Sequence, residues 1–534
     1  MRQSESDAHL RVAKRLDYFS ARATQRDERA IHIQLSQSDS HTPILRRHIW
    51  GWIAVAVVMM AYVATLTPGH PFALDDFAAY VMHAENLVDG HAYTDIRYVP
   101  NPDALWMAPS HGYPPVYPLI LAPVYKLRGF DLRAMKMVTV LCFGVFLVSF
   151  VSFLGDEIPT WAVCAAILLL SFNLVFWEQR DYLLSEFPYL MFSFCALLVA
   201  QRIYEQLDPR SWRFGAALLL SLLLYGAYGT RTIGIVLLPA LILADVCKFR
   251  RPSRFLIAVV VMTGSLILSQ NIIFISPKSY MSAVHLSATA TWQHALFYGK
   301  TLSYVWRNGS SKPAQIVFAL LFTALAAVGF LKNLWRRKSL AEFYLLGYLA
   351  VLLVWTAEIG LRGLLPVLPL YFAYGLAEFF NLTSRFARYT RVAMATALFV
   401  FVAITYLGAF RWSAAQEHLI DVRDPEAREL FAYIAANTQP ADVLIFPASR
   451  TLALFANRNV GQLAPDDTSA QSADFLASVN ARWLVENQAM SDPLQQLTGS
   501  HLVVLTPVFQ NAAFQMFRIE IPPTASQAGK ARPE

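Results

Sequence analysis

The chain is poor in charged residues and in cysteine, and both shortages limit the classes of protein to which it can belong. Only 15% of its 534 residues are charged, whereas 56% are hydrophobic, and soluble domains usually contain about 25% charged residues. Its four cysteines are too few for a disulfide scaffold, and all of them lie in apolar runs. Together with a mean hydropathy of +0.40, these shortages exclude an ordinary soluble domain.

The sequence also lacks a glycine-rich phosphate loop, metal-finger spacing and internal repeats, so nothing in it predicts a nucleotide site. A net charge of +7 could suggest nucleic acid as a partner. However, the Lys and Arg residues form short clusters between apolar segments, as they do in the cytoplasmic loops of membrane proteins. We therefore expect an integral membrane protein with no nucleic-acid partner.

Apolar segments of about 20 residues, the length that crosses a bilayer, recur from Trp50 onward. The predicted spans are Trp50–Thr67, Asp131–Phe153, Thr160–Trp177, Leu183–Tyr204, Phe214–Tyr228, Ile233–Cys247, Phe255–Ile275, Ala314–Leu331, Leu340–Thr356, Leu364–Phe380 and Val392–Phe410. A further apolar stretch, Tyr113–Tyr125, is shorter and contains four prolines. We predict that it forms a helix at the membrane surface rather than an additional span.

The basic connections set the predicted orientation. With the N-terminus inside and Tyr113–Tyr125 outside the bilayer, four basic connections face the cytoplasm, as the positive-inside rule requires. They are Arg202–Arg213, Lys248–Arg254, Lys332–Lys338 and Arg385–Arg391. If Tyr113–Tyr125 crossed the membrane, all of these connections would lie outside. The C-terminal region is therefore predicted to be extracytoplasmic.

This pattern predicts an α-helical polytopic membrane protein of about eleven transmembrane helices with a small C-terminal α/β domain. We expect residues 1–49 to form a poorly ordered cytoplasmic segment and residues 50–410 the membrane domain, with a long first outer loop at 68–130. We expect residues 411–534 to form the outer domain, ending in a disordered tail. Its helical and strand-like runs are Pro425–Asn437, Asp442–Phe446, Ala481–Leu484, His501–Thr506 and Phe514–Ile521.

Charged side chains gather at the predicted outer ends of the spans, where burial near the membrane makes them costly. They are Asp75, Asp76, Arg180, Asp181, Glu186, Arg231, Glu358 and Arg362. A carboxylate can accept a proton from an attacking hydroxyl, and an arginine can hold phosphate oxygens bidentately. Each residue also has a simpler interpretation when taken alone, as a helix cap, a span end or a headgroup anchor.

Five segments in this order carry a family resemblance. They are LDDFAAYVMHAENLVDG (Leu74–Gly90), YPPVYPLILAPVYKLRG (Tyr113–Gly129), LLSEFPY (Leu183–Tyr189), GTRTIG (Gly229–Gly234) and LRGLLPVLPLYFAYG (Leu361–Gly375). They resemble the outer loops and span starts of GT-C glycosyltransferases. The nearest groups are the protein O-mannosyltransferases and the bacterial aminoarabinose-lipid A transferases. The order of the five segments carries the resemblance, because no single motif is tight.

The resemblance implies a GT-C fold and inverting transfer of a sugar from a polyprenyl-phosphate carrier. It implies that Asp75 is the catalytic base, and that Asp76 and Glu186 orient the acceptor or hold a divalent metal ion. Arg231 and Arg362 would neutralise the leaving lipid phosphate.

Two further residues are expected to contact substrate. Tyr113 stands near the position of a lysine motif found in some lipid A transferases, and Glu358 lies at an outer span end. Asp75 and Asp76 are adjacent, unlike the acidic-x-acidic signature of some GT-C groups, which leaves open the identity of the base and the binding of a metal.

The acceptor could be a lipid, a glycan or a protein, and the expected location is the bacterial inner membrane. A transporter or lipid flippase would explain the number of spans equally well. A flippase predicts charges in broken helices at mid-membrane and an internal repeat. A third alternative is a non-catalytic protein that keeps the GT-C fold as a scaffold.

Overall fold

A computed structural model shows how these segments are arranged. It describes residues 49–102, 112–154, 160–206, 213–274, 287–307, 312–355, 358–416, 419–464, 467–487, 497 and 502–522. The predictions of a poorly ordered N-terminal segment and a disordered tail lie outside the described residues.

Most of the described chain is helical. The α-helices of the first half are α1 (Ile49–Ala64), α2 (Asp76–Asp89), α3 (Val116–Arg128), α4 (Leu132–Leu154), α5 (Thr160–Ser171), α6 (Leu174–Gln179), α7 (Glu186–Glu205), α8 (Phe214–Thr230), α9 (Leu237–Phe249) and α10 (Arg254–Ile273). Those that follow are α11 (Ala288–Ser303), α12 (Lys312–Arg336), α13 (Leu340–Val354), α14 (Leu361–Leu364), α15 (Leu368–Thr383), α16 (Arg388–Ala414), α17 (Pro425–Asn437), α18 (Ser449–Ala456) and α19 (Ser469–Ser478). Short 3₁₀ turns join α8 to α9, follow α11, and join α14 to α15.

The predicted spans coincide with apolar helices. Seven helical segments among the described residues are long and apolar enough to cross a membrane, and four shorter apolar helices match the remaining four predicted spans. In the most apolar window of Leu361–Thr383, formed by α14 and α15, 89% of the residues are buried, whereas the corresponding share in Arg254–Ile273 is 28%. The first is therefore a central helix of the bundle, and the second presents apolar side chains outward, as lipid-facing helices do. The predicted fold class is confirmed.

The first outer loop contains two helices that pack on each other. In α3, Tyr117 and Leu121 are buried while Leu119 and Leu127 are exposed, so the helix is amphipathic. The segment Tyr113–Tyr125, for which a surface helix was predicted, supplies most of this helix. Gly90 ends α2 in the left-handed region at φ +74°, a conformation that favours glycine.

A mixed six-stranded sheet forms the core of the outer domain. Its strands are β1 (Tyr98–Val99), β2 (Val443–Ile445), β3 (Asn459–Gly461), β4 (Ala481–Asn487), β5 (Val504–Gln510) and β6 (Phe514–Glu520), in the order β1-β3-β2-β4-β6-β5. The first four in that order run parallel, and β6 pairs antiparallel with both β4 and β5.

Strand β1 belongs to the first outer loop, so the loop and the C-terminal domain share one sheet. They also share one apolar core, in which Phe77 and Tyr80 of the loop join Leu444 and Leu452 of the domain. The chain is tied at the domain entrance as well, where the Phe72 N–H donates to the Ile420 carbonyl at 2.8 Å. The sequence predicted an α/β domain over residues 411–534, and in the structure the first outer loop contributes a strand and core residues to that domain.

Candidate active site

Two carboxylates and two arginines meet where four chain segments begin or end. Asp76 is the first residue of α2, Glu186 is the first residue of α7, and Arg231 follows α8. Arg362 lies in the short helix α14, at the start of the central segment of the bundle. The fold therefore gathers these side chains at one end of the bundle, beneath the outer domain.

Arg362 joins the two carboxylates. Its Nη1 donates to Asp76 Oδ2 at 2.5 Å, and its Nε donates to Glu186 Oε1. Arg231 Nη1 donates to the same Glu186 oxygen at 2.5 Å. Removing a carboxylate from water is costly unless an opposite charge lies beside it. The two guanidinium groups supply that charge and so stabilise the fully buried Glu186. The other Glu186 oxygen, Oε2, is buried without a hydrogen-bond partner among the described residues.

Asp75 faces the outer domain instead. Its Oδ2 accepts from Arg450 Nε at 2.6 Å, and its Oδ1 accepts from the Thr451 N–H at 2.6 Å. Thr451 is the third residue of α18, so Asp75 caps the N-terminus of a helix some 375 residues away in sequence. Asp75 stands at the N-cap position of α2, yet its side chain makes no capping bond there. The helix-cap interpretation therefore applies to α18 rather than to α2.

Tyr113 and Arg450 connect the two adjacent aspartates. The Tyr113 hydroxyl donates to Asp76 Oδ1, and Arg450 Nη1 donates to the same hydroxyl. Arg450 Nη2 also lies 3.5 Å from Asp76 Oδ1. Below them, the Tyr80 hydroxyl donates to Ser185 Oγ at 3.0 Å, next to Glu186. The outer loop, the membrane bundle and the outer domain thus each contribute to one continuous polar network.

The electrostatics of this network keep Asp76 ionised. Burial alone raises the pKa of Asp76, but the positive charges of Arg362 and Arg450 outweigh it and hold that pKa well below its ordinary value. Burial likewise lowers the pKa of Arg450, but the neighbouring Tyr113, Asp75 and Asp76 raise it above its ordinary value. Asp76 and Arg450 are therefore both charged at neutral pH.

Known proteins share this architecture but little of its sequence. No family model matches the chain, and no curated protein sequence matches it. The crystal structure of ArnT from Cupriavidus metallidurans bound to undecaprenyl phosphate matches with a TM-score of 0.56 at 13% identity, covering 88% of this chain and 98% of that chain. The Archaeoglobus fulgidus oligosaccharyltransferase in complex with Zn and sulfate matches with a TM-score of 0.54 at 10% identity, covering 81% and 68%. Both are GT-C glycosyltransferases. The chain has a GT-C fold.

Several residues predicted from the sequence thus meet in one polar network. Asp75, Asp76, Glu186, Arg231, Arg362 and Tyr113 all belong to the polar network. Glu358 is exposed, and among the described residues its charge acts on Tyr298 rather than on a member of the network. Its contact with substrate stays a prediction.

Arg180 and Asp181 form a separate cluster that braces the bundle. Asp181 Oδ1 accepts from Lys136 Nζ at 2.8 Å, and Asp181 Oδ2 accepts from Thr67 Oγ1 at 2.7 Å. Arg180 stacks on Trp177 at 4.0 Å and donates to Thr65 Oγ1. These contacts tie the end of α1 to α4 and to the segment before α7. Proximity to an outer span end was thus not sufficient to place a charge in the network.

Sequence reasoning missed Arg450, the member of the network that the outer domain supplies. Nothing local in the surrounding segment, ASRTLALFANRN, distinguishes this arginine from others in the outer domain. An arginine on the first turn of an amphipathic helix is ordinarily solvent-exposed, whereas the Arg450 side chain is only 6% exposed. Its partners are set by tertiary contacts across more than 300 residues.

Proposed function

We propose that this GT-C protein transfers a sugar from a polyprenyl-phosphate carrier to an extracytoplasmic acceptor hydroxyl, with inversion at the anomeric carbon. The observation that carries this proposal is the Asp76–Arg362–Glu186 network, at the end of the bundle where the helices begin beside the first loop. It combines a carboxylate that can accept a proton with arginines that can hold a phosphate. The GT-C fold supports the same class of reaction.

Asp76 is the better placed of the two aspartates to act as the base. Its side chain is 20% exposed, against 10% for Asp75. Both oxygens of Asp75 accept hydrogen bonds from α18 of the outer domain. The oxygens of Asp76 accept instead from Tyr113 and from Arg362, and Arg362 also contacts Glu186. The role of base that the resemblance gives to Asp75 is still a prediction, and the contacts favour a docking role for that residue.

The proposed step balances in atoms and charge. The acceptor hydroxyl gives its proton to an Asp76 oxygen as its own oxygen bonds to the anomeric carbon. The bond from that carbon to the phosphate oxygen breaks, and the carrier phosphate leaves with one additional negative charge. Arg362 and Arg231 stabilise this charge, because each guanidinium has five N–H donors and its carboxylate bonds use only part of them.

The donor also adjusts the strength of the base. When phosphate oxygens compete for the Arg362 guanidinium, Asp76 loses part of the positive field that lowers its pKa, and it becomes a better proton acceptor. Glu186 Oε2, which is buried without a partner among the described residues, can accept a bond from a hydroxyl of the bound sugar. These contributions position the reactants before the transfer.

This mechanism requires the network to face outward. We propose a location in a bacterial inner membrane with the outer domain outside, supported by the basic connections Lys248–Arg254 and Lys332–Lys338 at the opposite ends of the helices. A reporter that is active only outside the cytoplasm should work after Phe410 and fail after Arg250. Activity of the fusion at Arg250 would contradict this orientation.

Transfer itself is tested in membranes that contain the full chain. We expect radiolabelled sugar to pass from a synthetic polyprenyl-phosphate sugar pool to an endogenous acceptor with wild-type protein, and not with the Arg362→Met variant. A matched control is Arg97→Met, which breaks a more exposed pair with Glu85 at 3.7 Å. Carrier-linked sugar that crosses the membrane unchanged, without transfer, would instead indicate a flippase.

A further inference from the structure

We propose that the Arg362 guanidinium takes the place of a divalent cation between Asp76 and Glu186, so that the site works without a metal ion. The two carboxylates contact Nη1 and Nε of this one group, as two ligands would contact one cation. Only the catalytic consequence of this proposal, transfer without a metal ion, rests on the proposed function. The occupancy of the site by a guanidinium can be tested without any activity.

The donor set does not fit a divalent metal ion. Among residues that the structure describes, no group of three or more His, Cys, Asp or Glu side chains is arranged to hold one. Divalent cations such as Mg²⁺ and Ca²⁺ require several oxygen ligands, and Zn²⁺ usually takes four ligands. Within the described part of the chain, Glu186 offers one oxygen without a hydrogen-bond partner, and both oxygens of Asp76 already accept hydrogen bonds.

The charges of the network also oppose a cation. Asp75, Asp76 and Glu186 supply three negative charges, and Arg231, Arg362 and Arg450 supply three positive ones in direct contact with them. The formal charge of the network is therefore zero before any ligand binds. A dication would enter next to guanidinium groups, with no excess negative charge to attract it.

An anion fits the same site better. A carrier phosphate brings negative charge to a network whose guanidinium groups keep N–H donors beyond those used by the carboxylates. Arg362 would then serve both as the link between the two carboxylates and as a phosphate contact. This double role distinguishes the site from one in which a metal ion bridges the carboxylates and the leaving group.

The decisive experiment measures Mn²⁺ binding to the purified full chain by electron paramagnetic resonance. We expect no saturable site in the wild type that depends on Glu186, so wild type and Glu186→Gln should titrate alike. Arg362→Ala should gain a saturable Mn²⁺ site, about tenfold or more tighter than the nonspecific binding of the wild type, because it removes the repulsion between a guanidinium and a dication at about 4 Å. The double variant with Glu186→Gln should lose that gain.

Two results would overturn the proposal. One is Mn²⁺ binding by the wild type that Glu186→Gln removes, and the other is no gain of affinity in Arg362→Ala. If Arg362→Ala fails to fold, as judged by gel filtration and helical circular dichroism, Arg362→Gln removes the charge while keeping a polar side chain. A separate arm treats active membranes with a chelator, and wild-type transfer should be unchanged. Loss of transfer that added Mn²⁺ restores would contradict metal independence, while absence of any transfer would count only against the proposed function.

Discussion

Asp75 and Asp76 are neighbours in the chain, yet they belong to two different regions of the molecule. Asp75 lies against the outer domain, where Arg450 and the Thr451 N–H take its two oxygens. Asp76 lies against the membrane bundle, where Arg362 links it to Glu186. Successive residues of a helix point about 100° apart, so the start of α2 can send two identical side chains to different partners.

The comparison teaches that position in sequence does not assign chemistry within an acidic pair. The two residues have the same carboxylate side chain and the same intrinsic helix-capping ability. Their surroundings separate them, because Asp75 is bound by α18 of the outer domain and Asp76 shares the Arg362 guanidinium with Glu186. We therefore assign docking of the outer domain to Asp75 and participation in the site to Asp76.

The region around Asp76 should be more sensitive to the removal of a charge than the region around Asp75. Glu186→Gln leaves Arg231 and Arg362 without their shared buried carboxylate, and breaking such a pair typically costs about 3–5 kcal/mol. We expect a large loss of stability in thermal unfolding, together with loss of transfer. Glu205→Gln is the control, because Glu205 ends the same helix with a side chain 47% exposed. Equal effects of the two substitutions would show that the buried network is unimportant.

Removing a charge in the region around Asp75 should change hydrogen exchange only in the neighbouring elements. Arg450→Gln removes a charge-assisted bond to Asp75, worth about 1.5–3 kcal/mol, and should loosen α18 against the outer loop. Hydrogen exchange should accelerate in α18 and at the start of α2, with the membrane helices unaffected. Arg482→Gln in the same domain breaks a pair whose arginine is 55% exposed and should change exchange little. Uniformly faster exchange throughout the chain would argue against a local clamp.

Tyr113 bridges the two regions, and its loss should have a smaller effect. Tyr113→Phe keeps the ring and removes the hydroxyl between Asp76 and Arg450. The net value of a hydrogen bond is about 0.5–1.5 kcal/mol, so we expect a transfer rate lowered by roughly 2- to 13-fold. Tyr125→Phe, which loses a bond to Glu85 at 2.9 Å, is the control. A larger loss in the control would remove Tyr113 from the site.

Near neutral pH, the pH dependence of stability should be the smallest of these effects. Because the folded pKa of Asp76 lies below its unfolded value, its ionised form adds stability that is complete above the unfolded pKa of about 4 and falls as pH drops toward the folded pKa. The difference in unfolding temperature between wild type and Asp76→Asn should be constant from about pH 8 to 5 and shrink below about pH 4. A difference that shrinks between pH 8 and 6 would contradict a lowered pKa.

The sequence was most informative where local pattern determines structure. Apolar segments of bilayer length predicted each span, because a helix in lipid must be continuous and apolar. The loop orientation and the resemblance pointed to Glu186, Arg231 and Arg362, since all three follow directly from the positions of span ends. The strands Val443–Ile445 and Phe514–Glu520 also fall within predicted strand-like runs.

The rest depends on contacts between distant segments. Strand β1 has two residues and pairs with β3 more than 350 positions later, so no local periodicity could reveal it. Arg450 and the docking contact of Asp75 depend on the same long-range packing. Glu358 was predicted to contact substrate from its proximity to a span end, and in the structure it is exposed. The sequence predicted that the charges lie near one membrane face, but tertiary contacts determine which of them meet.

The central claim is that Asp76 takes part in the transfer and Asp75 holds the outer domain, and one paired rate measurement tests it. Asp76→Asn and Asp75→Asn are compared for sugar transfer per inserted molecule, from the same polyprenyl-phosphate sugar donor. Asparagine keeps the shape and the helix-capping ability of aspartate but cannot act as a base. We expect Asp76→Asn to lose about 10²- to 10⁴-fold, the usual contribution of general-base catalysis. Asp75→Asn should retain transfer within about tenfold of wild type, since Asn can still accept the Thr451 N–H bond. The opposite order, with Asp75→Asn inactive and Asp76→Asn near wild type, would contradict the account.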